Sequence, residues 1–166
     1  MKKLITLLLG LILAVSVFAQ REGNEAMNEI TSVQRILLQA SESILEAENN
    51  LNQEIVHLEF DILRGTEYKY VARILHPGWT YTIYAEGESG MVEDADIKIM
   101  IQAPDTGEWH DVCKDEKDEP GGAFIQLQPP RALNYAIGVR IRRYAPGWSG
   151  AHYFFMIMHE KPNTNE

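Results

Sequence analysis

Between Val56 and Met158 apolar side chains recur at every second residue, in short bursts separated by turn-forming residues. A period of two places successive side chains on opposite faces of an extended strand, so each burst has one face to bury. The bursts are Val56, Leu58, Phe60, Ile62; Tyr68, Tyr70, Ala72, Ile74; Trp79, Tyr81, Ile83, Ala85; Ala95, Ile97, Ile99, Ile101; Ala123, Ile125, Leu127; Tyr135, Ile137, Val139, Ile141; and His152, Phe154, Met156, Met158. A short irregular strand is also expected around Trp109 to Cys113. The breaks hold Pro77-Gly78, Gly87, Gly90, Pro104 to Gly107, Gly121-Gly122, Pro129-Pro130 and Pro146-Gly147, all turn chemistry. This pattern predicts a mainly β chain, an antiparallel β-sandwich, jelly-roll-like, of seven or eight strands. Phe155 and Ile157 make the last strand apolar on both faces, which predicts a central position in its sheet.

Ahead of the strands the period is helical. Ala26, Ile30, Val33, Leu37, Ala40, Ile44, Ala47 and Leu51 follow alternating gaps of four and three, which is a seven-residue repeat. Asn24 is the expected N-cap, with Glu25 just inside it. Asn49, Asn50 and Asn52 mark the end. Ile36, Leu38 and Leu45 widen the apolar stripe beyond a two-position seam, which favours packing on the protein's own sheet. Oligomerisation through Ile30, Val33, Leu37, Ile44 and Leu51 is the alternative use of the same helix.

Met1, Lys2 and Lys3 followed by the apolar run Leu4 to Val17 and by Val17-Phe18-Ala19 read as a secretory signal cut after Ala19. The run is shorter than the roughly 20 apolar residues that span a bilayer. The expected organisation is therefore signal 1–19, amphipathic helix 20–53, β-sandwich 54–160 and a C-terminal tail 161–166, the working protein being periplasmic or extracellular. Loss of Lys2 and Lys3 takes the net charge from −9 to −11. That acidity argues against a nucleic-acid binder, which needs a basic face for phosphates. A single cysteine excludes an internal disulfide framework and a multi-cysteine zinc site.

Three stretches resemble a known family. Tyr81-Thr82-Ile83-Tyr84-Ala85-Glu86-Gly87, Asp94-Ala95-Asp96-Ile97-Lys98-Ile99, and Asn134 to Arg140 followed by Ser149 to Phe154 are similar to strands of the bacterial pre-peptidase C-terminal domain, over roughly residues 68–159. That resemblance implies a small β-sandwich of the kind appended to secreted hydrolases. Related collagen-binding modules of bacterial collagenases bind calcium through an acidic segment leading into the sandwich. The equivalent region here, Glu42 to Glu54, reads as helix without a dense acidic cluster, so calcium by that route is not carried over.

Candidate chemistry is sparse. Asp105, Glu108, Asp111 and Asp115 open an acidic stretch that continues through Glu116, Asp118 and Glu119. Oxygen ligands of this type suit calcium, although the spacing matches no calcium loop of fixed register. No other cofactor is indicated. His110 and Cys113 are the one nucleophile-and-base candidate, and strand alternation sets residues three apart on opposite faces. His57, His76, His152 and His159 show no zinc spacing. The distinctive local feature is a repeated tripeptide, Pro77-Gly78-Trp79 and Pro146-Gly147-Trp148. A tryptophan directly after a turn offers a flat face for a sugar or a peptide side chain. With Arg140 and Arg142, Trp79 and Trp148 form the expected ligand-binding set. These features point to a non-catalytic recognition or accessory module for an extracellular glycan, protein polymer or partner protein. An assembly protein joined through its heptad helix and a small secreted hydrolase are the alternatives.

Overall fold

The computed structural model describes residues 24–115 and 122–160, with side chains from Thr31 onward. The expected signal and tail lie outside these residues, as do Glu116, Asp118, Glu119 and the side chain of Ile30. One helix, α1 (Asn24–Asn49), precedes eight strands: β1 (Gln53–Arg64), β2 (Lys69–Leu75), β3 (Tyr81–Gly87), β4 (Val92–Gln102), β5 (Trp109–Asp115), β6 (Ala123–Leu127), β7 (Leu133–Tyr144) and β8 (Gly150–Glu160). They form two four-stranded sheets with orders β1-β8-β3-β6 and β2-β7-β4-β5. Every neighbouring pair is antiparallel. Each sheet mixes early and late strands, so the chain crosses between sheets repeatedly. This is a jelly roll, the β-sandwich expected from the turn spacing, with eight strands, the higher of the two counts expected.

The core between the sheets is built by alternation. Ile83 and Ala85 of β3, Ile97 and Ile99 of β4, Ile125 of β6, Tyr135, Ile137, Val139 and Ile141 of β7, and Tyr153, Phe155 and Ile157 of β8 form one buried cluster. The intervening residues of β8 point the other way. Phe154, Met156 and Met158 form a second buried cluster with Ile36, Ala40, Ile44 and Ala47 of α1. The helix thus lies on the outer face of its own sheet, and β8, flanked by β1 and β3, is sandwiched between two apolar layers. Ala40 and Ala47 are almost completely buried, and their small side chains let the helix backbone come close to the sheet.

Two strands turn their apolar side away from the sandwich core. In β1, Leu58 and Phe60 pair with Met156 and Phe154 and pack under α1. A bulge at Val56 shifts the register, so Ile55, not Val56, joins that face, and Val56 is exposed. In β2, Val71 and Leu75 face the core, while Tyr70 and Ile74 stand on the open outer face of the second sheet. A Cβ at Gly138 would sit 2.5 Å from the Tyr70 ring, so glycine makes room for that ring to lie across β7.

The polar side of β1 closes the edge of the sandwich. Lys69, at the start of β2, donates to Glu59 at 2.8 Å and also to Asp61. The Lys69 bond and the Ile62 amide hold the Asp61 carboxyl below its ordinary range. At Glu59 burial pushes upward, but Lys69 and the Tyr153 hydroxyl outweigh it and the carboxyl is also lowered. A carboxyl lowered by folding stabilises the fold above its ordinary range and loses that contribution as pH falls through the lowered value. The stability difference between the wild type and Lys69→Met should accordingly be largest near neutrality and close as pH falls below the ordinary carboxylate range, read by urea unfolding across pH. In the same assay Ala40→Leu should cost about 1–3 kcal/mol by overpacking, whereas Leu45→Ala, on the exposed side of α1, should stay within about 0.5 kcal/mol.

Candidate functional site

The two Pro-Gly-Trp turns lie at opposite ends of the sandwich. Gly78 and Gly147 have φ of 86° and 88°, the left-handed geometry that follows proline in a type II turn. The Trp148 amide closes the second turn by donating to the Ala145 carbonyl at 3.1 Å. Trp148 precedes the start of β8, and Trp79 meets its end. At about 3.3 Å per strand residue the span from Gly150 to His159 separates them by roughly 30 Å. Trp79 is half-buried against the core, its ring centroid 4.3 Å from that of His159. Trp148 is half-exposed.

Trp148 borders a cleft of about 720 Å³ at the end of the first sheet, where the N-terminal half of α1 meets the β3–β4 and β7–β8 turns. Apart from Trp148 and its turn, the residues that build it carry no motif in the local sequence pattern. Glu88 is fully buried in the β3–β4 turn, and its Oε1 accepts from Arg35 Nε at 2.7 Å and pairs with Arg35 Nη2 at 2.6 Å. The buried Ser32 hydroxyl donates to Glu88 and sits 2.7 Å from His152 Nδ1, an arrangement satisfied when that nitrogen carries the proton. Gln39 holds the same turn, donating to Glu86 at 2.9 Å and accepting from the Ser89 amide at 2.9 Å. Ser32, Arg35 and Gln39 follow helical spacing on one flank of the apolar stripe. That periodicity was the available signal, but the partner carboxylate lies more than fifty residues away in a turn.

The Ser32, His152 and Glu88 side chains are a structural network rather than an acyl-transfer relay. Such a relay needs the hydroxyl and the carboxylate on different ring nitrogens. Here both approach Nδ1, with Glu88 Oε2 at 3.6 Å. The hydroxyl proton is directed to a carboxylate that Arg35 already neutralises. What the cleft offers a ligand is the Trp148 face, the outer part of Arg35 and the Arg64 guanidinium, which makes no ion pair among the described residues.

Arg140 and Arg142 are not brought to Trp148. They stand on the outer face of the second sheet. Arg140 pairs with the buried Asp96 at 2.6 Å and lies 4.6 Å from the Tyr68 ring centroid. Arg142 approaches the buried Asp94 at 3.9 Å. The acidic candidates are also spread out. Asp105 and Glu108 are exposed in the β4–β5 turn, Asp111 pairs with Lys98 at 2.8 Å, and Asp115 accepts from the Phe124 amide at 3.0 Å. No three His, Cys, Asp or Glu side chains among the described residues are grouped to hold a metal ion. In the helical set, Leu37 and Ile44 are buried within this chain, Val33 is half-buried and Leu51 is exposed.

A bulge in β5 pairs Cys113 with core-facing Ile99 and His110 with Ile101, so simple alternation does not hold across these three positions. Cys113 packs on the core, and burial pushes its thiol up. It is protonated at neutral pH, which is unsuited to nucleophilic attack.

No protein-family model matches the chain, and no curated protein matches it. Solved structures of similar shape include the periplasmic inhibitor of g-type lysozyme, PliG, from Aeromonas hydrophila, at 16% identity and a TM-score of 0.42, covering 63% of this chain and 85% of that one. The Yersinia pseudotuberculosis-derived mitogen is 9% identical at a TM-score of 0.41, covering 68% and 90%. The glycosylation-associated Gap123 complex from Streptococcus agalactiae is 12% identical at a TM-score of 0.34, covering 66% and 24%.

The Cys113 environment predicts slow chemistry. Alkylation by iodoacetamide at pH 8 should be at least about tenfold slower in the folded protein than in urea, because reaction waits on local opening. Equal rates would show that the thiol is not shielded by the core.

Proposed function

We propose that this protein is an exported, non-catalytic recognition module that holds an extracellular polymer or partner protein in the Trp148 cleft. The observation that carries the reading is the pairing of a half-exposed indole with Arg64, in a cleft whose buried carboxylate is already neutralised. An indole face stacks on a sugar ring or a planar side chain, and a guanidinium takes a carboxylate in a bidentate fork. The ligand class that suits both is an acidic one: a uronic-acid or sialic-acid chain, or an acidic peptide loop. Export follows from the expected signal at residues 1–19. Among the described residues no helix is long and apolar enough to cross a membrane. The resemblance of residues 68–159 to the pre-peptidase C-terminal domain belongs to the same reading, as an accessory module.

A second reading, assembly through the helix, is favoured by Leu38 and Leu45, which are exposed one heptad apart on the side of α1 away from the sheet. Sedimentation of wild type and of a Leu38→Ser/Leu45→Ser variant separates it. Dimer in the first and monomer in the second is the result expected of assembly.

Glycan and acidic-peptide arrays test the main reading. Trp148→Ala should cost about 2 kcal/mol of binding, near thirtyfold. Arg64→Ala should remove discrimination between acidic and neutral ligands without moving the melting temperature. Wild-type affinity in both variants would end the assignment to this cleft.

A further inference from the structure

A second groove, of about 490 Å³, runs beside the C-terminal half of α1, where the helix leaves part of β3 and β6 of the first sheet uncovered. Its floor is apolar, with buried Met156 and Met158 and the rings of Tyr84 and half-exposed Phe124. Its helix side carries Glu42 and Glu46, and Glu86 stands next to Tyr84, accepting from the Tyr84 hydroxyl at 2.7 Å. Among the described residues none of these three carboxylates has a Lys, Arg or His partner. In contrast, Glu88, two residues beyond Glu86, is compensated by Arg35.

A further observation is independent of the charges. Thr82 lines the groove at 3% exposure, and its Oγ1 has no hydrogen-bond partner. A hydroxyl left unsatisfied in such a place costs roughly 1–3 kcal/mol unless something brought to it completes the bond. An apolar floor, a buried hydroxyl and an uncompensated acidic rim together specify the occupant's chemistry.

We infer that this groove binds an extended peptide segment of a partner protein in which a large apolar side chain is flanked by Lys or Arg. The apolar side chain fills the space over Met156 and Met158, whose unbranched thioethers adapt to different shapes. The flanking cations meet Glu42 and Glu46, which lie about 6 Å apart along the helix. Residues i and i+2 of an extended chain are separated by about 6.6 Å, close to that spacing. A backbone group of the peptide is then available to Thr82 Oγ1.

The test is a titration of the isotope-labelled protein with the capped peptide Gly-Lys-Phe-Lys-Gly, followed by amide resonances. The expected result is saturable shifts at Thr82, Phe124 and the C-terminal turns of α1. A Gly-Glu-Phe-Glu-Gly control should bind at least tenfold more weakly, and a Gly-Lys-Ser-Lys-Gly control should show no saturation. The Glu42→Gln/Glu46→Gln variant, altered only at exposed helix positions, should bind at least fivefold more weakly with an unchanged spectrum of the free protein. Thr82→Val should weaken binding about two- to tenfold, the loss of one hydrogen bond, without lowering the melting temperature. Trp148→Ala should leave this titration unchanged, so the groove and the cleft fail or stand separately. Equal binding of the acidic control, no loss in the double glutamine variant, or shifts confined to the Trp148 end would overturn the inference.

Discussion

The structure depends on the two-sided burial of β8. Tyr153, Phe155 and Ile157 fill the space between the sheets, while Phe154, Met156 and Met158 fill the space under the helix. Fully burying a side chain of this size contributes about 1.5–3 kcal/mol, so one strand joins two apolar layers. Without α1 the outer face of the first sheet would expose a contiguous apolar patch, which soluble proteins rarely tolerate. The helix is therefore a third layer of the same fold.

That arrangement makes the molecule asymmetric, and both candidate sites follow from the asymmetry. The helix covers β1 and β8 but only part of β3 and leaves β6 uncovered. At its N-terminal half, Ser32, Arg35 and Gln39 fasten it to the β3–β4 turn. The cleft opens past that attachment, beside Trp148 and Arg64. At its C-terminal half no cation meets Glu42 or Glu46 among the described residues, and the groove opens there instead. Two concave surfaces of opposite charge, one bordered by Arg35 and Arg64 and the other by Glu42 and Glu46, thus flank a single helix.

The period of the sequence was an accurate guide to which residues share a face, and a poor guide to which face is inside. Alternation in Ala95 to Ile101 and in Tyr135 to Ile141 leads directly to core positions because those strands are central in the second sheet. For Tyr68 to Ile74 the same alternation marks the outer face, since Val71 and Leu75 supply the core from an edge strand. In β1 the Val56 bulge interrupts the alternation, so Ile55 rather than Val56 joins Leu58 and Phe60 on the face under the helix. A bulge changes register by one position, and local composition carries no mark of it.

The sites divide in the same way. The sequence singled out Trp148 through its Pro-Gly turn, since that turn chemistry is local. It paired Trp148 with Trp79, Arg140 and Arg142, which lie at the far end of β8 or on the opposite sheet. Arg64, Glu88, Ser32 and His152 meet only because β1, the β3–β4 turn, α1 and β8 converge at one corner. The sequence by itself determined the acidity, the helix and the turns and narrowed the strands to seven or eight, because these follow from composition and from patterns within a few residues. Tertiary structure alone decided which faces are buried, which charges are compensated and where a ligand has room, because those depend on partners 53 to 120 residues apart in the chain brought together by the fold.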